Sequence, residues 1–161
     1  MIEFRKDFYA DVRTEDRSRT TISYKAGVLE EMKTREERRA FLRVYDGRMW
    51  YYASVTDLAH LQKTLDGLYA AATPNGEILN APVVRRFECN RDSRMQFTDA
   101  SVRNVPAEEK QALLKSYLPL LTEDACVTMP EGAYLDRNSV FHFQSSLGAD
   151  ITYDYQTCGL S

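Results

Sequence analysis

From residue 8 the chain alternates. Phe8, Ala10, Val12 and Thr14 fall on one side of an extended backbone, and Tyr9, Asp11, Arg13 and Glu15 fall on the other. That period of two is the pattern of a half-buried strand. A second β-rich run covers 20–25, and Ala26-Gly27 turns it back into a third starting at Val28. A fourth run, 40–45, ends at Asp46-Gly47, and Met49–Ser54 returns as a fifth. Asp-Gly between β runs predicts a tight hairpin, because both central residues of a two-residue turn take positive φ. The period then changes. Leu58, Leu61, Leu65, Leu68 and Ala72 recur at helical spacing behind a cap at Thr56 or Asp57. Pro74-Asn75-Gly76 stops that helix.

Residues 75–105 are mixed and polar and read as a connector, with short β candidates at 82–88 and 94–98. Pro106 suits the first turn of a second helix, where its missing N–H has no partner to lose. Ala107-Glu108-Glu109 supplies the acidic groups that a helix N-terminus favours. Leu113, Leu114, Tyr117, Leu118 and Leu121 form its apolar side, and Pro119 kinks or ends it. Three β runs follow, at 125–129, 133–144 and 149–158. The run from Thr20 to Val28 is echoed by that from Asn138 to Gly148, each a strand reaching a glycine turn. This is either a diverged repeat or the common form of any hairpin.

Strands and helices in separate blocks, joined by hairpins, predict an α+β fold. It has a mostly antiparallel sheet with two main helices packed on one face. The layout is one domain over 1–161: a β-rich half with its helix (1–74), the connector (75–105), and a helix with a β-hairpin half (106–161).

Composition narrows the function. The 161 residues are 43% hydrophobic and 28% charged, with a formal net charge of −3. That balance argues against a dominant phosphate-binding surface and direct nucleic-acid binding. The apolar runs are too short to cross a bilayer, and Met1–Asp7 contains no apolar leader core. Cys89, Cys126 and Cys158 are odd in number and widely spaced, which reads as reduced thiols of a cytoplasmic protein, with Cys158 buried.

Catalytic patterns are sparse. His60 and His142 are the two histidines, and neither belongs to a pair spaced for one helix face, as a zinc-binding HExxH requires. Both read as surface histidines. Ser145-Ser146 and Thr20-Thr21 read as turn residues with no activating neighbour. No glycine pattern forms a phosphate loop. The mixed-sign stretch Glu30–Arg39 passes for a helix with i,i+4 pairs. Trp50, Tyr51 and Tyr52, with Tyr9, Tyr24 and Tyr45, interleave with Arg43 and Arg48. They are candidates for a partner or peptide surface. The other reading is sheet core, with Trp50 and Tyr52 pointing inward.

The order of these segments resembles the N-terminal domain of the TldD/PmbA family, zinc metallopeptidases also labelled modulators of DNA gyrase. The matching positions are Arg13, Glu15, Gly27, Glu30, Arg43-Val44 before Asp46-Gly47, Ala53-Ser54, Asp57-Leu58 and Ala70–Ala72. Family members usually carry glycines where this chain has Arg38-Arg-Ala-Phe-Leu42. The resemblance makes Glu30–Arg39 two strands and a turn. It implies a C-terminal domain, absent from this chain, which in TldD-type members binds zinc through an HExxxH helix and a further cysteine. PmbA-type members lack those ligands. No zinc ligand has a counterpart here, so no catalytic residue is carried over and no cofactor is expected in this chain. The implied partners are its own C-terminal domain, a homo- or heterodimeric family partner, and a peptide or unfolded protein substrate. A strand running to Ser161 suggests a truncated parent. The competing expectation is a stand-alone interaction module using the aromatic sheet face.

Overall fold

The computed structural model describes residues 2–123 and 126–161. Its sheet has six strands in the order β3-β2-β1-β5-β6-β4. They are β1 (Tyr9–Lys25), β2 (Val28–Tyr45), β3 (Trp50–Val55), β4 (Arg91–Arg94), β5 (Glu131–Ser145) and β6 (Asp150–Leu160). The main helices are α1 (Leu61–Ala71) and α2 (Ala107–Tyr117). The fold is therefore α+β with a mostly antiparallel sheet, as the segment pattern predicts. The exception is the pairing of β4 with β6, which is parallel.

The runs 8–15 and 20–25 merge into the single strand β1, and Val28 to Tyr45 is likewise one strand. Glu30–Arg39 is thus neither a helix nor two strands and a turn. Cross-strand partners decide this. Arg39 bonds Glu15 at 2.6 Å and Arg38 bonds Asp16 at 2.7 Å, while Thr34 meets Thr20 at 3.2 Å. The turn at Ala26-Gly27 is as expected, with φ of 47° and 79°. That is the two-residue geometry whose twist suits a hairpin. The Asp46-Gly47 hairpin also forms, but as a four-residue loop in which only Gly47 has positive φ, at 99°. Asp46 displaces the tighter turn by accepting from the backbone N–H of Arg48 and of Met49, both at 2.8 Å.

The chain divides into two compact units. The first comprises Met1–Asp16, Glu37–Met95 and Val140–Tyr153. In it α1 lays Leu65 and Tyr69 over Phe8, Ala10, Val12, Ala40, Leu42 and Val44. Each of the fully buried Leu, Val and Phe side chains stabilises by about 1.5–3 kcal/mol. The opposite face is covered too: Tyr9 and Tyr45 pack with Ile78 and Val84. The half-buried strand predicted from residue 8 is therefore buried on both sides at its start. Its cover is part of the connector, which forms 3-10 turns at Ile78–Asn80 and, where a strand was predicted at 82–88, at Val84–Arg86. Pro82 has no N–H to give a ladder. The second connector strand lies at Arg91–Arg94, displaced from 94–98.

The second unit comprises Arg17–Glu36, Gln96–Ser139 and Asp154–Ser161. Its core is Ile22, Tyr24, Tyr134 and Leu114, with Leu118 alongside. α2 follows Pro106, and at Leu118 it gives way to a 3-10 segment containing Pro119. Its expected apolar side is only part buried: Leu113, Tyr117 and Leu121 stay exposed. Of the run expected at 125–129, Ala125 lies outside the described residues, and 126–129 form turns and bends, not a strand.

Candidate partner and peptide surface

Of the aromatic residues singled out above, Tyr24 lies in the core of the second unit and the others lie in the first, where alternation along the hairpin sorts them. In the β2–β3 register Arg43 faces Tyr52, Val44 faces Tyr51 and Tyr45 faces Trp50. Tyr51 therefore lies on the α1 side, packed against that core. Its hydroxyl donates to Asp46 at 3.2 Å. Burial, then the hydrogen bond to Asp46, raises the Tyr51 pKa.

On the other face the rings form a row. Tyr45 stacks on Trp50 at 4.8 Å, Trp50 on Tyr52 at 6.4 Å, and Tyr52 on Phe41 at 5.9 Å. The row begins in the core and runs outward: Tyr45 is buried, Trp50 half-buried, and Tyr52 56% exposed. Trp50 belongs partly to the sheet core and Tyr52 does not.

Arg43 joins this row through its guanidinium plane, 4.8 Å from the Trp50 ring. Its edge is engaged elsewhere. Nε reaches Asp11 Oδ1 at 2.9 Å and Nη2 reaches Oδ2 at 2.6 Å. This bidentate fork balances a carboxylate that is 2% exposed. Tyr9 donates to the same carboxylate at 3.1 Å. Burial foremost, then Asp11, pushes the Tyr9 phenol well above its ordinary range. Arg48 is exposed in the hairpin loop, where its backbone N–H donates to Asp46 Oδ1 at 2.8 Å.

Sequence reasoning did not find the groove beside this row. It encloses about 750 Å3 and is lined by Arg13, Glu15, Arg39, Phe41, Phe141 and His60, among others. Arg13 and Glu15 were legible as the polar side of the first strand. Phe141 was not, because its place next to β1 depends on strand order.

The histidines do not make a metal centre. His60 Nδ1 lies 2.7 Å from Asp57 and His142 Nε2 lies 2.6 Å from Asp150. The imidazole hydrogen bond is the foremost cause of the lowered pKa of each aspartate. Among the described residues no group of three or more His, Cys, Asp or Glu side chains is placed to hold a metal. The described residues therefore do not fit a zinc site. Cys158, expected to be buried, is exposed, as are Cys89 and Cys126, and among the described residues none of the three is in a disulfide. Among the described residues no helix is long and apolar enough to cross a membrane.

Residues 10–72 match the model of the PmbA/TldA metallopeptidase domain 1. This stretch is thus similar to the first domain of that family. Solved structures extend the likeness in fold to nearly the whole chain. A candidate modulator of DNA gyrase from Thermotoga maritima matches with a TM-score of 0.70 and 17% identity, over 95% of this chain and 34% of that one. A second candidate gyrase modulator, from Bacteroides thetaiotaomicron, gives 0.66 and 16% over 94% and 35%. TldE from Thermococcus kodakarensis gives 0.70 and 10% over 94% and 35%. The chain thus spans about a third of the length of these structures. No curated protein matches the sequence.

Proposed function

We propose that this chain acts as the non-catalytic N-terminal domain of a TldD/PmbA-like metallopeptidase. In the whole protein it helps to form a peptide-accepting cavity and a dimer interface, and hydrolysis belongs to a C-terminal domain. The observation that carries this reading is the coincidence of two matches: the first-domain model over 10–72, and a fold covering a third of larger proteins. A set of exposed apolar side chains in the second unit supports it. Leu113, Tyr117, Leu120 and Leu121 are 46%, 48%, 58% and 38% exposed. A surface of that kind calls for a partner, and under this reading the partner is the protein's own C-terminal domain. The exposed end of the aromatic row, Tyr52 and Phe41, favours a second reading as a free-standing protein-interaction module.

The test is to read the source gene past the codon for Ser161. Continuation into a region matching the later part of TldD/PmbA proteins supports the first reading. A stop codon there overturns it in favour of the second.

A further inference from the structure

We infer that the groove of the first unit binds a peptide carboxylate beside an apolar side chain. The inference deepens the peptide-cavity reading and rests on it. Charge accounting within the groove carries it. Glu15 is held by the Arg39 fork, Nε at 2.7 Å and Nη2 at 2.6 Å. Asp57, at the other rim, is bonded by His60 at 2.7 Å and by the Ala59 N–H at 3.0 Å. Both acids lining the groove therefore have partners. Arg13 differs: among the described residues it has no carboxylate partner, and its guanidinium lies 5.8 Å from the centroid of the Phe143 ring. A guanidinium stacked on a ring still presents its N–H edge, which matches a carboxylate in fork geometry.

The apolar half of the ligand is set by the neighbouring walls. Phe41 is 41% exposed, and Phe141 stacks on Tyr153 at 5.0 Å with its ring plane tilted by only 20°. Both line the groove with Arg13. Fixed aromatic walls lose little side-chain entropy when an aliphatic group settles on them. The groove thus selects an acidic group with an apolar neighbour over a basic or purely polar segment. The carboxylate comes either from an Asp or Glu side chain or from a peptide C-terminus.

The test is calorimetric titration of the 161-residue chain with capped pentapeptides containing leucine next to either aspartate or asparagine. A third probe carries the asparagine and a free C-terminal carboxylate. The aspartate peptide is expected to bind about tenfold more tightly than its asparagine counterpart, the scale of one charged hydrogen-bonded contact. Arg13→Gln should remove that preference, Arg13→Lys should keep part of it, and Lys63→Gln on α1 should leave it unchanged. If the third probe matches the aspartate peptide, the site reads C-termini. If it matches the capped asparagine peptide, the site reads side chains. Equal binding of aspartate and asparagine peptides, indifferent to Arg13→Gln, would overturn carboxylate recognition and leave the peptide-cavity reading standing. No binding by any probe would overturn both.

Discussion

Lys110 Nζ lies 2.7 Å from Asp136 Oδ2, with the two side chains only 5% and 1% exposed. A buried pair like this stabilises only when its remaining hydrogen-bonding capacity is filled. Here it is. Lys110 also donates to Thr20 Oγ1 at 3.1 Å, and Asp136 accepts from the Thr20 N–H at 3.0 Å and from the Tyr134 hydroxyl at 2.8 Å. The pair ties α2 to β1 and β5 within the second unit, where few apolar side chains are buried. Removing one partner leaves the other charged in a dry site. Lys110→Met or Asp136→Asn is expected to cost about 3–5 kcal/mol in urea unfolding. The double change to Met and Leu should remain destabilising by about 1–3 kcal/mol, because Thr20 N–H and Tyr134 O–H lose their acceptor. A neutral double variant would show that those donors find other partners.

Asp46 predicts an acid-side effect. Burial raises its pKa, but the N–H donors of Met49, Arg48 and Thr73 and the Tyr51 hydroxyl outweigh that, and the net shift is downward. An aspartate with a lowered folded pKa contributes stability that is fully present above its unfolded value of about 3.9. That contribution is lost as pH falls through the folded value. Asp46→Asn should therefore flatten the loss of stability below about pH 4, measured by urea midpoints against pH. An unchanged slope would mean the loop is not set by the ionised carboxylate.

The turn between β1 and β2 offers a stabilising change. Ala26 has φ of 47°, a conformation that costs an L-residue with a Cβ about 1–2 kcal/mol. Ala26→Asn or Ala26→Gly should raise stability by about 0.5–1 kcal/mol after the entropy of the new residue is counted. Thermal unfolding at one pH measures it, and a lower midpoint for both variants would contradict the turn assignment.

Two residues of the aromatic row should behave differently. Tyr52 is 56% exposed, so Tyr52→Ala should change stability by less than about 0.5 kcal/mol. Association of the full-length protein should weaken about fivefold or more, the scale of losing an aromatic anchor. Sedimentation velocity of the full-length variant measures it. Arg43→Ala should instead unfold more readily by about 2–3 kcal/mol, because it leaves Asp11 buried without its cation. If Tyr52→Ala leaves association unchanged, the exposed end of the row is not a partner surface.

Local signals carried most of the strands and both helices. Leu58, Leu65 and Leu68 fixed a helix by spacing, and Asp57 caps the short turn that leads into it. Long-range pairing carried the rest. Nothing local in Glu30–Arg39 distinguishes a strand from a helix with ion pairs; Glu15, Asp16 and Thr20 on the neighbouring strand decide it. The cover at Ile78 and Val84 was missed for a related reason. Its few apolar residues gain their burial from Tyr9 and Tyr45, distant in sequence. Arg43 was legible as a cation among aromatics, but its tie to Asp11 was not, since the two meet only across strands. The groove was legible only in part, because Phe141 reaches it through the strand order.

The most direct measurement of the central claim is peptide cleavage, followed by mass spectrometry, with an unfolded peptide and added zinc. The purified chain should leave the peptide intact, and under the proposed reading a longer protein of the zinc-bearing type should cut it. Zinc-dependent cleavage by residues 1–161 alone would contradict the assignment of this chain as a non-catalytic domain.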